Sequence, residues 1–156
     1  MTKVNLDKLQ ATTNGNIETI IAEVDLGNGM LITLGDAVEG NREAIKAVAP
    51  DVAKELLLVA HPEVKYESNA TDELDYTSKA GKATRAYHFT VGDKVQVEQS
   101  LFDVVPVAND IVTGNPATMG YTKTGADTAQ TKFLVERLTT FDFDARPMAL
   151  LRVLSV

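Results

Sequence analysis

The sequence predicts a mainly β protein: a small β-barrel or β-sandwich with an extended N-terminal arm and at most one or two short helices. Two observations predict it. Apolar and polar residues alternate in several short segments, and glycine, asparagine, aspartate or proline divides these segments. A period of two is what a half-buried strand requires, because successive side chains point to opposite faces of the sheet. Many short strands separated by turn residues are typical of barrels and sandwiches.

Length and charge limit the classes of protein to consider. The 156 residues suit one domain, which we divide into an N-terminal arm, residues 1–16, and a single β-rich domain, residues 17–156. A net charge of -7 disfavours a nucleic acid or an anionic membrane as partner. The absence of cysteine excludes disulfides, thiolate nucleophiles and cysteine-ligated zinc. With no apolar leader and no long apolar run, the chain is expected to stay in an aqueous phase without signal-directed export.

The N-terminal arm is predicted from its polar composition. Val4, Leu6 and Leu9 are its only sizeable apolar residues apart from Met1. Such a segment is either a frayed terminus or a strap that becomes ordered on a neighbouring subunit. We take Val4, Leu6 and Leu9 as the candidate partner-binding residues.

The best-defined structural signal is the stretch 83–98. Tyr87, Phe89 and Val91 share one parity before Gly92-Asp93, and Val95 and Val97 alternate with polar residues after it. Glycine accepts a positive φ, and the aspartate side chain accepts hydrogen bonds from nearby backbone amides. The pair therefore predicts either a tight hairpin turn or a sharp bend between two strands.

Other segments are assigned by the same criteria. Alternation on both sides of Gly27-Asn28-Gly29 predicts a hairpin. Residues 41–49 remain ambiguous, since Asn41 could cap a short helix that Pro50 would soon end. Residues 55–60 suggest a buried strand, with an edge segment at Val64 and Tyr66. Further expectations are a surface loop at 68–82, an edge or connection at Pro106, a loop at 114–130 with a small strand near Tyr121, and strands at 131–143 and 148–156.

No pattern of reactive residues indicates catalysis. His61 precedes a proline, and His88 is expected on the solvent face of a strand without a visible partner. Asp142 and Asp144 could form a carboxylate pair but fit a solvated strand edge better. Asp72, Glu73 and Asp75 lack the spacing of a calcium loop and predict an acidic surface loop; the three lie in the assigned loop 68–82. We therefore expect no enzyme activity, no cofactor and no metal site.

Several segments between residues 42 and 102 resemble a known class of protein. These segments are REAIKA at 42–47, LVAHPEVKY at 58–66, AGKATRAY at 80–87, VGD at 91–93 and LF at 101–102. In their order the chain is similar to small virion proteins of tailed bacteriophages, described as head decoration, cement or capsid-fibre-associated proteins. A weaker similarity continues through Arg146-Pro147-Met148 and the closing strand.

The resemblance implies a non-enzymatic β protein on the capsid exterior, made in the host cytoplasm. It implies binding to assembled major capsid protein and to neighbouring copies of the same chain in a symmetric array. It assigns no binding residues. Two alternatives stay open: a tail-tube or head-completion component, and a small-ligand-binding β-barrel. The ligand alternative predicts a sizeable apolar cavity with a few converging polar groups, whereas the virion alternative predicts a filled interior.

Overall fold

A computed structural model describes residues 4–61, 77–141 and 145–156. Its helical parts are a single turn, α1 (Ala11–Asn14), and a 3-10 turn (Gln99–Leu101). The strands are β1 (Val4–Lys8), β2 (Ile17–Ala22), β3 (Leu26–Gly27), β4 (Leu31–Ala37), β5 (Ala44–Val48), β6 (Leu57–Val59), β7 (Thr77–Ser78), β8 (Ala83–Tyr87), β9 (Lys94–Glu98), β10 (Ile111–Gly114), β11 (Tyr121–Thr122), β12 (Lys132–Thr140) and β13 (Pro147–Ser155). The predicted mainly β fold class is confirmed.

The first half of the chain closes a five-stranded barrel in the order β2-β5-β4-β6-β8. β2 and β5 are parallel, and the other neighbours are antiparallel. The barrel centre is filled by buried side chains. These are Ile20, Ala22, Leu26, Ile32, Ala47, Leu57, Val59 and Ala86.

β1 from the N-terminal segment joins five strands of the second half in a six-stranded antiparallel sheet, in the order β1-β9-β13-β12-β10-β11. β3 and β7 form a separate two-stranded sheet. One face of the six-stranded sheet packs on the outside of the barrel, because Leu31, Leu58 and Tyr87 share a hydrophobic cluster with Phe133 and Leu151. This packing explains β6: Leu57 and Val59 fill the barrel while Leu58 faces the sheet, so all three are apolar.

The Gly92-Asp93 pair is a bend between the two layers, one of the two predicted alternatives. β8 belongs to the barrel and β9 to the sheet, so the two strands are not a hairpin. β8 also ends at Tyr87, before the predicted Val91. Gly92 has a φ of 93°. Asp93 is buried, and its carboxyl accepts hydrogen bonds from the backbone N–H of Thr90 (2.8 Å) and of Gln10 (3.3 Å).

The hairpin predicted at Gly27-Asn28-Gly29 is wrong. β2 pairs with β5 and β8, and β4 pairs with β5 and β6, so the two flanking strands are not neighbours. Barrel closure decides this pairing because it places β5 and β8 beside β2, and β5 and β6 beside β4. Asn28 is buried instead, and its side-chain oxygen accepts a hydrogen bond from the His61 N–H at 2.9 Å.

The surface loop predicted at 68–82 is wrong at Thr77–Ser78, which form β7 with Ser78 buried because they pair with β3. The ambiguous residues 41–49 form strand β5, and the expected strands near 55–60, Tyr121, 131–143 and 148–156 are confirmed as β6, β11, β12 and β13. Residues 102–110, around Pro106, form a connection. Some predictions concern residues outside the described ranges. These are the edge segment at Val64 and Tyr66, the acidic residues 72–75, and the carboxylate pair at 142 and 144.

The N-terminal segment is part of the fold rather than a loose arm. β1 pairs antiparallel with β9, Val4 opposite Val97 and Asn5 opposite Gln96. α1 follows, with Ala11 buried. The sequence suggested an arm because the segment is short and polar, and its partner strand lies far along the chain. Deleting residues 1–16 would therefore test the stability of the sheet as well as any partner contact.

Candidate functional site

The predicted partner-binding residues all lie against the core of their own chain. Leu9 is 2% exposed and belongs to the cluster between barrel and sheet. Val4 and Leu6 are partly buried and pack on the same cluster. Leu9 is therefore not accessible to a partner in this structure, and a partner contact through Val4 or Leu6 stays a prediction.

A different apolar surface is exposed on the connection between the 3-10 turn and β10. We call residues 104–107 the valine loop. Val104 is 62% exposed, Val105 71% and Val107 60%, and Ile111 beside them is also exposed. Large apolar side chains grouped on a surface mark an interaction site more often than single exposed ones do. The valine loop is therefore the candidate interaction surface.

The valine loop is held in place at both ends. At its start, the Asp103 carboxyl accepts a hydrogen bond of 2.6 Å from the Thr122 hydroxyl. At its end, the Asp110 carboxyl accepts one of 2.7 Å from the Val107 N–H. Pro106 is buried between these anchors. The valines are therefore presented on a fixed backbone, which lowers the conformational entropy that a partner contact would cost.

Lys123 strengthens the second anchor. Its Nζ lies 2.6 Å from Asp110 Oδ2. This hydrogen bond, helped by the charge of Lys123 and the Val107 N–H, lowers the pKa of Asp110 below its usual value. The carboxylate thus stays ionised as an acceptor throughout the neutral range.

An open apolar groove lies at the side of the barrel. It has a volume of about 790 Å³. Its apolar lining includes Ile21, Val24, Val38, Val48 and Met119. Two charged side chains, Glu23 and Lys46, stand at its rim and are exposed. We call this feature the apolar groove.

The outer face of the six-stranded sheet is charged. Lys94 Nζ lies 3.0 Å from Glu136 Oε2, and the Arg152 guanidinium contacts the same carboxylate. The hydrogen bond from Lys94, followed by that from Arg152, lowers the pKa of Glu136. Positive and negative groups pair with each other on this face, as on an ordinary solvated sheet surface.

His88 has partners that the sequence did not reveal. Its Nδ1 lies 2.7 Å from Glu55 Oε1, and its Nε2 lies 3.1 Å from Glu18 Oε1. The side chain is 15% exposed, so the expectation of a solvent-face residue without a partner is wrong. Both ring nitrogens are engaged by carboxylates, which leaves neither one free to exchange a proton with a substrate. The cluster instead connects β2, β8 and the segment before β6.

We expect this cluster to make folding stability depend on pH. Burial disfavours the charged imidazole, but the hydrogen bonds and charges of Glu55 and Glu18 outweigh it and raise the pKa of His88 above 6.5. A pKa raised on folding adds stability that is complete below the unfolded-state value and is lost as pH rises through the folded-state value. The free energy of unfolding of the wild type, minus that of His88→Gln, should therefore fall as pH rises above 6.5.

Urea unfolding of both proteins between about pH 5.5 and about pH 8.5, a range that spans the ordinary pKa of histidine, measures this difference. Every other residue is common to the two proteins, so the difference reports on position 88. A difference that does not change with pH would contradict the raised pKa.

In the ranges 4–61, 77–141 and 145–156, no group of three or more His, Asp and Glu side chains is placed to hold a metal ion. No helix within these ranges has the length and apolar character needed to cross a bilayer. The accessible features of the described chain are thus the valine loop, the apolar groove and the charged sheet face.

These observations define a class: a mainly β protein with a closed, filled barrel packed on an open sheet, carrying a fixed apolar loop on its surface. Comparisons of the chain with models of protein families, with curated proteins and with solved structures found no match.

Proposed function

We propose that the chain is a non-enzymatic structural protein of a tailed-bacteriophage virion. In this role it decorates or cements the capsid exterior by binding assembled major capsid protein and neighbouring copies of itself. It is made in the host cytoplasm and acts in the virion. The resemblance of segments 42–47, 58–66, 80–87 and 91–93 to such proteins motivates the proposal.

The observation that carries it is the valine loop. Val104, Val105 and Val107 expose apolar surface on a backbone fixed by Asp103 and Asp110. Leaving such side chains in water stabilises nothing in the single chain, whereas burying each in a contact gains about 1.5–3 kcal/mol before the costs of association. A fixed apolar protrusion fits a protein whose work is to attach to other proteins. The saturated hydrogen bonding of His88 supports a role without catalysis.

The proposal is tested by binding to shells assembled from the major capsid protein of the virus that encodes the chain. The purified chain should pellet with assembled shells, saturate at a fixed ratio to the capsid subunits, and not bind unassembled subunits. Binding to neither shells nor virions would overturn the proposal. A small, fixed copy number found on tails or at the head vertex would favour the tail-tube or head-completion alternative instead.

The ligand-binding alternative has one observation in its favour, the apolar groove of about 790 Å³. Against it, the barrel interior is filled by side chains such as Ile20, Ile32 and Leu57 rather than hollow. An environment-sensitive apolar dye tests this alternative. Dye binding that Val48→Glu removes, in a protein that does not bind shells, would favour the ligand-binding barrel.

A further inference from the structure

We infer that the valine loop of one copy binds in the apolar groove of a second copy of this chain. The inference rests on the proposed function in one respect: it states which of the two proposed partners, capsid protein or neighbouring copy, the loop contacts. Two features of the same chain support the inference: the valine loop exposes apolar side chains, and the apolar groove is open to receive them.

The two surfaces have matching chemistry. The protrusion presents Val104, Val105 and Val107, each at least 60% exposed. The groove presents apolar side chains, and two of them, Val24 and Val48, are 49% and 42% exposed. Neither surface is covered by the described residues of its own chain, so a contact between them would bury both at once.

Charge at the edges of the two surfaces limits the orientation in which the loop can bind in the groove. Asp103, beside the first valine, is exposed, and Lys46 is exposed at the rim of the groove. Because Glu23 is exposed at the same rim, the favoured orientation of the seated loop places Asp103 next to Lys46 and away from Glu23. A loop-to-loop contact would instead bring two Asp103 side chains together. The overall charge of -7 opposes association, so added salt should strengthen it.

A second copy is the occupant that the chain itself supplies. Every copy carries both halves of the contact, so the contact can repeat from copy to copy and close into a ring or continue as an array. A loop of four residues buries little area, so each contact is weak alone. Copies attached side by side on a shell meet at a high effective concentration, and the weak contact is then sufficient.

The test uses one loop variant, one groove variant and their mixture. Val105→Glu places a charge on the valine loop, and Val48→Glu places one in the apolar groove. Both side chains are exposed, so both variants should fold, and circular dichroism checks this. In sedimentation equilibrium each variant alone should self-associate about tenfold more weakly than the wild type, or about 1.4 kcal/mol. An equimolar mixture should associate better than either variant, because an intact loop then meets an intact groove.

The matched control is Val91→Glu, a change at another exposed valine (57%) on the turn before β9. It should leave self-association at the wild-type level. A wild type that stays monomeric at every concentration would overturn the inference, as would a mixture that associates no better than its components. Equal weakening by Val91→Glu would also overturn it, since added charge alone would then explain the loss.

Cross-linking provides a second readout, because the chain has no native cysteine. Mixed Val105→Cys and Val48→Cys chains, carrying tags of different size, should form a disulfide-linked heterodimer on mild oxidation. Val105→Cys mixed with Val91→Cys should not. If the Val105→Cys and Val48→Cys mixture forms no more heterodimer than the Val105→Cys and Val91→Cys mixture, the inference is contradicted.

The outcomes separate this inference from the proposed function. If the wild type binds shells but Val105→Glu and Val48→Glu associate as the wild type does, the inference fails and the proposed function stands. If self-association follows the predicted pattern without binding to shells, the inference stands and the capsid role fails. Dye binding in the groove of a monomeric wild type would show that a small apolar ligand, rather than a second copy, occupies it.

Discussion

Tyr121→Ala is expected to lower the free energy of unfolding by about 3–5 kcal/mol, the range seen when a large buried aromatic side chain is truncated. Tyr121 is fully buried between barrel and sheet. Its ring stacks on Phe102 and meets Phe133 edge-on, with centroids 4.9 and 5.8 Å away. Its hydroxyl donates a 3.0 Å hydrogen bond to the carbonyl oxygen of Gly29, which lies just before the barrel strand β4.

Tyr121→Phe is the matched control. It keeps the ring and removes only the hydroxyl, so it should cost about 1 kcal/mol, the net value of a typical hydrogen bond. Burial raises the pKa of Tyr121 well above its ordinary value, so the hydroxyl remains a donor in all the usual buffers. Urea unfolding of the three proteins measures the series. Equal losses for the alanine and phenylalanine variants would mean that the ring packing contributes little.

Truncation of Tyr121 should also affect the valine loop. The backbone N–H of Asp103 donates to the Tyr121 carbonyl oxygen at 3.2 Å, and Phe102 bridges to the same strand. Loss of the ring beneath Phe102 should loosen the start of the loop. We therefore expect Tyr121→Ala to expose residues 102–107 to faster amide hydrogen exchange, while Tyr121→Phe leaves them near the wild-type rate.

Asp93→Ala is expected to destabilise the protein by about 1–3 kcal/mol, because two partly buried backbone donors lose their acceptor and one fully buried donor without an acceptor costs about that much. The Asp93 carboxyl accepts from Thr90 N–H within the bend and from Gln10 N–H next to α1. Its own backbone completes the junction, because the Val153 N–H donates to the Asp93 carbonyl oxygen at 2.9 Å. One residue thus ties the bend, the N-terminal segment and β13 together.

Asp93→Asn distinguishes the two acceptor roles. The amide retains one oxygen and presents an N–H group to the second donor, so about half of the loss is expected. Thermal unfolding of wild type, Asp93→Asn and Asp93→Ala should rank them in that order of decreasing midpoint. An alanine variant as stable as the wild type would show that solvent replaces the carboxyl at this bend.

Sequence patterns predicted the positions of the strands better than the pairing between strands. Alternation in β9 and β12 and the apolar run of β6 are local signals of burial, and each was placed correctly. Pairing is not local: β1 finds β9, and β2 lies beside β5 and β8. The tripeptide Gly27-Asn28-Gly29 carried a strong turn signal, yet closure of the barrel separated the strands on either side of it.

The candidate site was harder to predict than the fold. Val104, Val105 and Val107 look alike in sequence whether they are buried or exposed, since no period of two or of 3.6 assigns them to a face. Their exposure follows from anchors at Thr122 and Asp110 that only the folded chain brings together. His88 is similar, because Glu18 and Glu55 come from two distant segments. The N-terminal segment shows the opposite error: its polar composition predicted an accessible Leu9, but Leu9 is buried.

The pairing of β1 with β9 has a consequence for how the protein is made. On the ribosome, Val4–Lys8 emerges early, but its partner Lys94–Glu98 follows only after the barrel segments, and the next strand across, Pro147–Ser155, comes later still. The barrel can therefore form during translation, while the beginning of the chain stays unpaired until β9 has emerged. Nascent chains stalled so that β8 has left the ribosome while residue 94 is still inside it should show a protease-sensitive start followed by a resistant barrel, and chains released after synthesis of β13 should be resistant from the first strand onward.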